Sequence, residues 1–162
     1  MNRKTVFRII VQVSRFGLAA LFLFTAGAKL WILRAFAANV AELLSSSGFN
    51  QVRWMWPVTV AVIAAEIITA ILLLQQRTVR AGALLAAAML IAFSGFAMYY
   101  VYVLHGEPLE CGCFGGIIAS QLGLTTALRN LALLVPTFLV FFGYRRQRQP
   151  TTIDYEDVVG TT

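Results

Sequence analysis

The 24 residues from Ala81 to Leu104, AGALLAAAMLIAFSGFAMYYVYVL, contain no formal charge, and their reading decides the fold. A helix rises about 1.5 Å per residue and the hydrocarbon core of a bilayer is about 30 Å thick, so about 20 apolar residues cross it. This stretch is long enough. Tyr99, Tyr100 and Tyr102 mark its approach to water. Gly82, Ala86, Ala87, Ser94 and Gly95 are small enough to let neighbouring helices come close.

Working upstream, the polar hinge Gln75 to Arg80 separates this span from another running from about residue 54 to 74. Trp54 and Trp56 suit the interface there, and Pro57 suits a first helical turn. A further span covers about residues 9–33, with Arg15 near one end and Lys29 near the other, each able to snorkel to the membrane surface. Arg3, Lys4 and Arg8 ahead of an apolar run ending in Ala26, Gly27 and Ala28 also fit a cleaved signal peptide. Leu30 to Leu33 continue the apolar pattern, as a retained span would. Between these spans, Phe36, Val40, Leu43 and Leu44 recur at helical spacing before a Ser45-Ser46-Ser47-Gly48 stretch, which predicts a short amphipathic surface helix and a turn.

Downstream, the last span runs from about residue 125 to 144 and ends in Arg145, Arg146 and Arg148. From Pro150 on the chain is too polar to build a core. The expectation is an all-α integral membrane protein: a bundle of four transmembrane helices over residues 1–144 and a disordered cytoplasmic tail over 145–162. Composition agrees, because 59% of residues are hydrophobic and only 12% charged, against about 25% charged in soluble domains. The net charge of +6 is scattered at span ends with no dense basic stripe, which argues against nucleic-acid binding.

Cytoplasmic flanks collect Lys and Arg. With both termini inside, Arg3, Lys4, Arg8, Arg77, Arg80, Arg145, Arg146 and Arg148 lie on the inner side, while the outer loops hold Arg34 and Arg53. That orientation predicts an extracytoplasmic loop after Leu104, carrying both cysteines of the chain, Cys111 and Cys113, together with its sole histidine, His105.

Cys111-Gly112-Cys113 is the most informative string. Two thiols one residue apart close a disulfide only through a tight ring, which Gly112 accommodates. A strained, exposed disulfide is readily reduced and therefore suits exchange. A permanent link over so short a loop gains little entropy, which favours redox over structure. Glu107 and Glu110 raise a nearby thiol pKa, whereas a helix N-terminus, Arg129 or a protonated His105 lowers it, and His105 can shuttle a proton. Two thiolates and the His105 imidazole could also ligate a soft metal ion, although a fourth protein ligand is not evident. A permanent disulfide and free thiols stay open as alternatives.

Glu66 lies nine residues beyond Pro57, about 13 Å along the helix and close to the bilayer midplane. An ionised carboxyl there costs a few kcal/mol, so it should face the bundle interior, neutral or paired. Lys29 and Arg129 are both within reach, Lys29 being the better placed. Such a polar centre binds a small ligand, relays protons or clamps helices. Asn130 reads as interhelical polar glue.

These residues resemble the methylamine-utilisation MauE family, within the wider DoxX-like group of redox-associated membrane proteins. The resemblance rests on Ala26, Gly27, Lys29 and Leu30, on Glu66, on Glu110-Cys111-Gly112-Cys113-Phe114-Gly115, and on Arg129-Asn130-Leu131. It implies a protein of the bacterial inner membrane that works with a periplasmic thioredoxin-like partner to form or maintain disulfides of a secreted client. In methylamine-utilising bacteria that client looks like the disulfide-rich small subunit of methylamine dehydrogenase. A looser similarity to quinone-coupled four-helix enzymes of the DsbB and vitamin K epoxide reductase type suggests quinone as an electron acceptor by analogy. Those families use cysteines spaced by two residues plus a second outer pair, which this chain lacks. The expected function is thus a thiol-disulfide redox protein, with Cys111 and Cys113 as the reacting pair and His105, Glu66, Lys29 and Arg129 in support. A non-catalytic scaffold and a metal- or solute-handling membrane protein are the rivals.

Overall fold

The computed structural model describes residues 3–102 and 124–147. Five helices account for nearly all of them: α1 (Arg3–Trp31), α2 (Leu33–Ser46), α3 (Gln51–Leu74), α4 (Val79–Tyr102) and α5 (Leu124–Gln147). No strand occurs among the described residues. Four of the helices are long and apolar enough to cross a membrane, over Thr5–Trp31, Gln51–Leu74, Val79–Tyr99 and Ala127–Tyr144. The spans pack as a closed ring in the order α1, α3, α4, α5 and back to α1, and α2 lies against α3.

Each boundary has a local cause. Helix α2 stops because Gly48 takes φ +77°, a conformation in which other residues are strained. The amide of Phe49 then donates to Leu44 O at 2.9 Å and that of Gly48 to Ser45 O at 3.1 Å, the paired bonds of a Schellman cap. Two residues later Asn50 caps α3, its side chain accepting the Arg53 amide at 3.3 Å. Pro57 therefore sits in the second turn of α3, not the first turn expected, because the Asn50 cap starts the helix at Gln51. The amphipathic helix expected before it is present as α2, with Phe36 and Val40 packed on Ile63 of α3.

The first span begins earlier than expected, at Arg3, and ends at Trp31, so that Leu33 already belongs to α2. Leu18, Ala19, Phe22 and Ala26 of α1 are buried in the bundle. The buried side chains Val11, Arg15, Leu18, Phe22, Thr25 and Lys29 are spaced alternately by four and three residues, which is one helix face. Both cations lie on that inward face. Arg15 and Lys29 are each 2% exposed, so neither snorkels.

At the end of the bundle where α3 turns into α4, here the hinge end, Arg15 closes the C-terminus of α3. Its Nε donates to Leu73 O at 2.5 Å, its Nη2 donates to Leu74 O, and its Nη1 donates to Tyr144 Oη of α5 at 2.6 Å. Thr78 Oγ1 donates to Leu72 O at 3.2 Å and the Gln75 amide to Ile71 O at 3.0 Å. All four carbonyls that a helix leaves without an internal partner are thereby satisfied. A cation there also suits the negative end of the helix dipole.

Close approach is set by glycine at the same end. A Cβ on Gly82 would lie 2.8 Å from Leu73 N and 2.9 Å from Leu72 C, and one on Gly143 would lie 2.5 Å from Val11 Cγ2. Gly95, expected to serve the same purpose, is exposed with open space around its Cα. Three buried hydroxyls bond back within their own helices: Thr25 donates to Phe22 O at 3.0 Å, Ser94 to Leu90 O at 2.8 Å and Thr137 to Leu133 O at 2.7 Å. That habit makes them tolerable in an apolar bundle.

Candidate functional site

Nearer the opposite end, here the loop end, Lys29 of α1 and Glu66 of α3 form an ion pair of 2.6 Å between Nζ and Oε1. The geometry follows from helix direction. Side chains lean toward the N-terminus of their own helix. Antiparallel packing therefore tilts Lys29 down into the bundle and Glu66 up to meet it. Their side chains are 3% and 4% exposed. Phe36 of α2 covers the pair, its ring centroid 5.5 Å from Lys29 Nζ. Helix α2 is thus part of the centre as well as of the surface.

A cavity of about 40 Å³ adjoins Glu66 and draws a wall from every span: Leu21, Phe22 and Thr25 of α1, Glu66 of α3, Leu90 and Phe93 of α4, and Arg129, Asn130 and Leu133 of α5. Three of the residues expected to support a site, Glu66, Lys29 and Arg129, thus gather in one region. Glu66 Oε2 has no hydrogen-bond partner among the described residues. Lys29 pairs with the Glu66 carboxylate, and a second cationic residue, Arg129, lines the cavity beside it. Asn130, read from sequence as polar glue, is 5% exposed and lines this cavity.

His105, Glu107, Glu110, Cys111, Cys113 and Phe114, and the tail from residue 148, lie outside the described residues. Segment 103–123 joins the loop-end termini of α4 and α5. Among the described residues no group of three or more His, Cys, Asp or Glu side chains converges as a metal site would require.

The family model described as methylamine utilisation protein MauE matches residues 7–143, which takes in nearly all of the four spans and the cysteine segment. The chain belongs to the MauE family. No curated protein and no solved structure is significantly similar to it. MauE membership and the four apolar helices together make this a multi-pass membrane protein associated with methylamine utilisation. The ion pair, its cavity and the cysteine string of this MauE protein all fall within the matched region.

Sequence reasoning missed Arg15 and Tyr144 as partners and Thr25 as a cavity wall. A signal for the first was present: Arg15 and Lys29 are 14 residues apart, about four helical turns, so a helix that turns one of them inward turns the other inward too.

Proposed function

We propose that this protein is a thiol-disulfide redox component of the bacterial cytoplasmic membrane, with both termini cytoplasmic and the cysteine segment facing the periplasm. Cys111 and Cys113 alternate between dithiol and disulfide and exchange with a thioredoxin-like periplasmic partner, which in turn matures disulfides of an exported client. Methylamine dehydrogenase, with its disulfide-rich small subunit, is the client that methylamine utilisation suggests.

The observation that carries this reading is the Cys111-Gly112-Cys113 string in a segment joining the loop-end termini of two spans of a MauE-family bundle. In exchange, a thiolate attacks one sulfur of a disulfide and a mixed disulfide forms and resolves. With one pair of cysteines in the chain, the electrons pass onward to the partner or to a membrane carrier such as a quinone.

Trapping tests it. A Cys113→Ser or Cys111→Ser variant expressed in the native host is expected to accumulate a mixed disulfide with one periplasmic protein, identified by mass spectrometry after non-reducing electrophoresis. If neither variant traps a partner and the double serine variant matures its client normally, the cysteines have no part in the function and a scaffold is the better description.

A further inference from the structure

At the hinge end, six residues of α1 line an open groove of about 550 Å³. Arg8, Gln12 and Phe16 make one ridge and Ile9, Val13 and Gly17 the other, each stepping by four residues along the helix. Val11, Arg15 and Leu18 are buried on the opposite side of α1, so the groove faces away from the bundle, toward lipid. We propose that it holds one anionic phospholipid of the hinge-side leaflet, with the phosphate on Arg8 and the start of an acyl chain along Val13 and Phe16 to Gly17. The inference does not depend on the cysteine chemistry.

Depth supports this occupant. Arg15 donates to the carbonyls of Leu73 and Leu74, so its guanidinium is level with the end of α3, where the polar hinge begins and the hydrocarbon ends. Gly17 is two residues further into the membrane, about 3 Å, and Arg8 is seven residues further out, about 10 Å. The headgroup layer on each side is about 5–7 Å thick. The groove therefore crosses that layer from its outer edge to the top of the acyl chains.

The chemistry changes along the groove in the order a phospholipid presents it. Arg8 is exposed at the outer end and is the only charged side chain of the six. Gln12, one turn deeper, accepts at Oε1 from Arg15 Nη1 at 3.4 Å and from Tyr144 Oη at 3.5 Å. Its amide NH₂ is left to donate to a phosphate or ester oxygen. Val13 and Phe16 are 65% and 53% exposed, apolar surface for the chain. The Phe16 ring is held by Arg15, whose Cζ lies 5.2 Å from its centroid, so the clamp that closes α3 also fixes this wall. Gly17 leaves the deep end open, with no heavy atom within 4 Å of where its Cβ would stand. A groove with apolar walls alone would accept any lipid; the guanidinium at its headgroup end selects an anionic one.

The test uses the full chain in detergent micelles, titrated with dioleoyl phosphatidylglycerol or dioleoyl phosphatidylcholine and read by native mass spectrometry as the first lipid bound. The wild type is expected to bind phosphatidylglycerol about fivefold more tightly, the worth of one cation at an anionic membrane surface. Arg8→Gln should abolish that preference. Gly17→Leu should weaken both lipids, because its side chain fills the groove. Arg8 is exposed and Gly17 has open space, so both variants should fold. Arg80→Gln, at the same end on α4, should keep the preference. The proposal is overturned if the wild type does not distinguish the two lipids, if Arg8→Gln or Gly17→Leu binds them as the wild type does, or if Arg80→Gln loses the preference equally, which would assign it to the general charge of this end. A dimer that Gly17→Leu dissociates would give the groove to a second copy of the chain and overturn it too.

Discussion

Replacing Arg15 with methionine removes a side chain that ties α1, the end of α3 and the end of α5 together. Arg15 donates to the carbonyls of Leu73 and Leu74 and to Tyr144 Oη. A hydrogen bond to a charged group contributes about 1.5–3 kcal/mol, so the two carbonyl bonds represent about 3–6 kcal/mol gross. Against this stands the desolvation of a guanidinium that is 2% exposed, a cost of several kcal/mol that methionine avoids. Helices inserted separately in a bilayer also find other partners, which lowers the net worth of each polar contact. The expected outcome is destabilisation by roughly 2–3 kcal/mol, most of it from leaving two helix-end carbonyls without donors. Arg15→Lys should fall between, since an ammonium cannot reproduce the planar fork. Reversible unfolding in mixed micelles, followed by circular dichroism, measures the difference. Tyr144→Phe should cost less, about 1 kcal/mol, and combining it with Arg15→Met should add less than the sum, because the two share a bond. An Arg15→Met protein within about 0.5 kcal/mol of wild type would show that the clamp does not hold the bundle and that the α3 carbonyls find other donors.

The ion pair predicts a different pattern. Lys29→Met alone should destabilise by about 3–5 kcal/mol, because it strands a buried carboxylate, whereas Lys29→Met with Glu66→Met should return close to wild type; the same unfolding measurement checks both. Gly82→Ala should destabilise by roughly 1–3 kcal/mol, since its Cβ would meet the Leu72–Leu73 backbone. Gly95→Ala, with open space around it, should be neutral or slightly stabilising, and comparing melting temperatures in detergent tests the contrast. Cys111 and Cys113 should react with a membrane-impermeant maleimide added to intact cells after mild reduction; labelling only after the cells are broken reverses the proposed orientation.

What sequence could and could not tell has a physical basis. The spans were legible because membrane thickness fixes their length, and so was the turn at Ser45-Ser46-Ser47-Gly48, whereas the Asn50 cap that starts α3 at Gln51 was not, which is why Pro57 was expected in the first turn. Helix orientation about its axis was less legible. Helix α3 is apolar on every side, so hydropathy does not mark its inward face; its polar residues Thr59, Glu66 and Thr69 do, and all three are buried. Glu66 was read this way from sequence, and its pairing with Lys29 follows from depth and reach. Arg15 was read as a surface anchor because a cation near a span end has two outlets, water or a helix terminus. Choosing between them required knowing that α3 ends beside it. The cavity was not legible at all, since it depends on four helices meeting at one depth.

The two ends of α1 show how the bundle divides its tasks. Apolar surface alone does not choose partners in lipid, where a leucine is as well solvated by acyl chains as by another helix. Polar residues on the α1 stripe therefore set its register, one at each end. At the hinge end the arrangement is closed: each of the last four α3 carbonyls has a donor, and glycine brings α4 against α3. At the loop end it is open: one oxygen of Glu66 is engaged by Lys29, while the other borders a cavity between Arg129 and Asn130. A purely structural clamp gains nothing from that second oxygen, because an unsatisfied buried acceptor costs about 1–3 kcal/mol. The open end is also the one from which segment 103–123 departs.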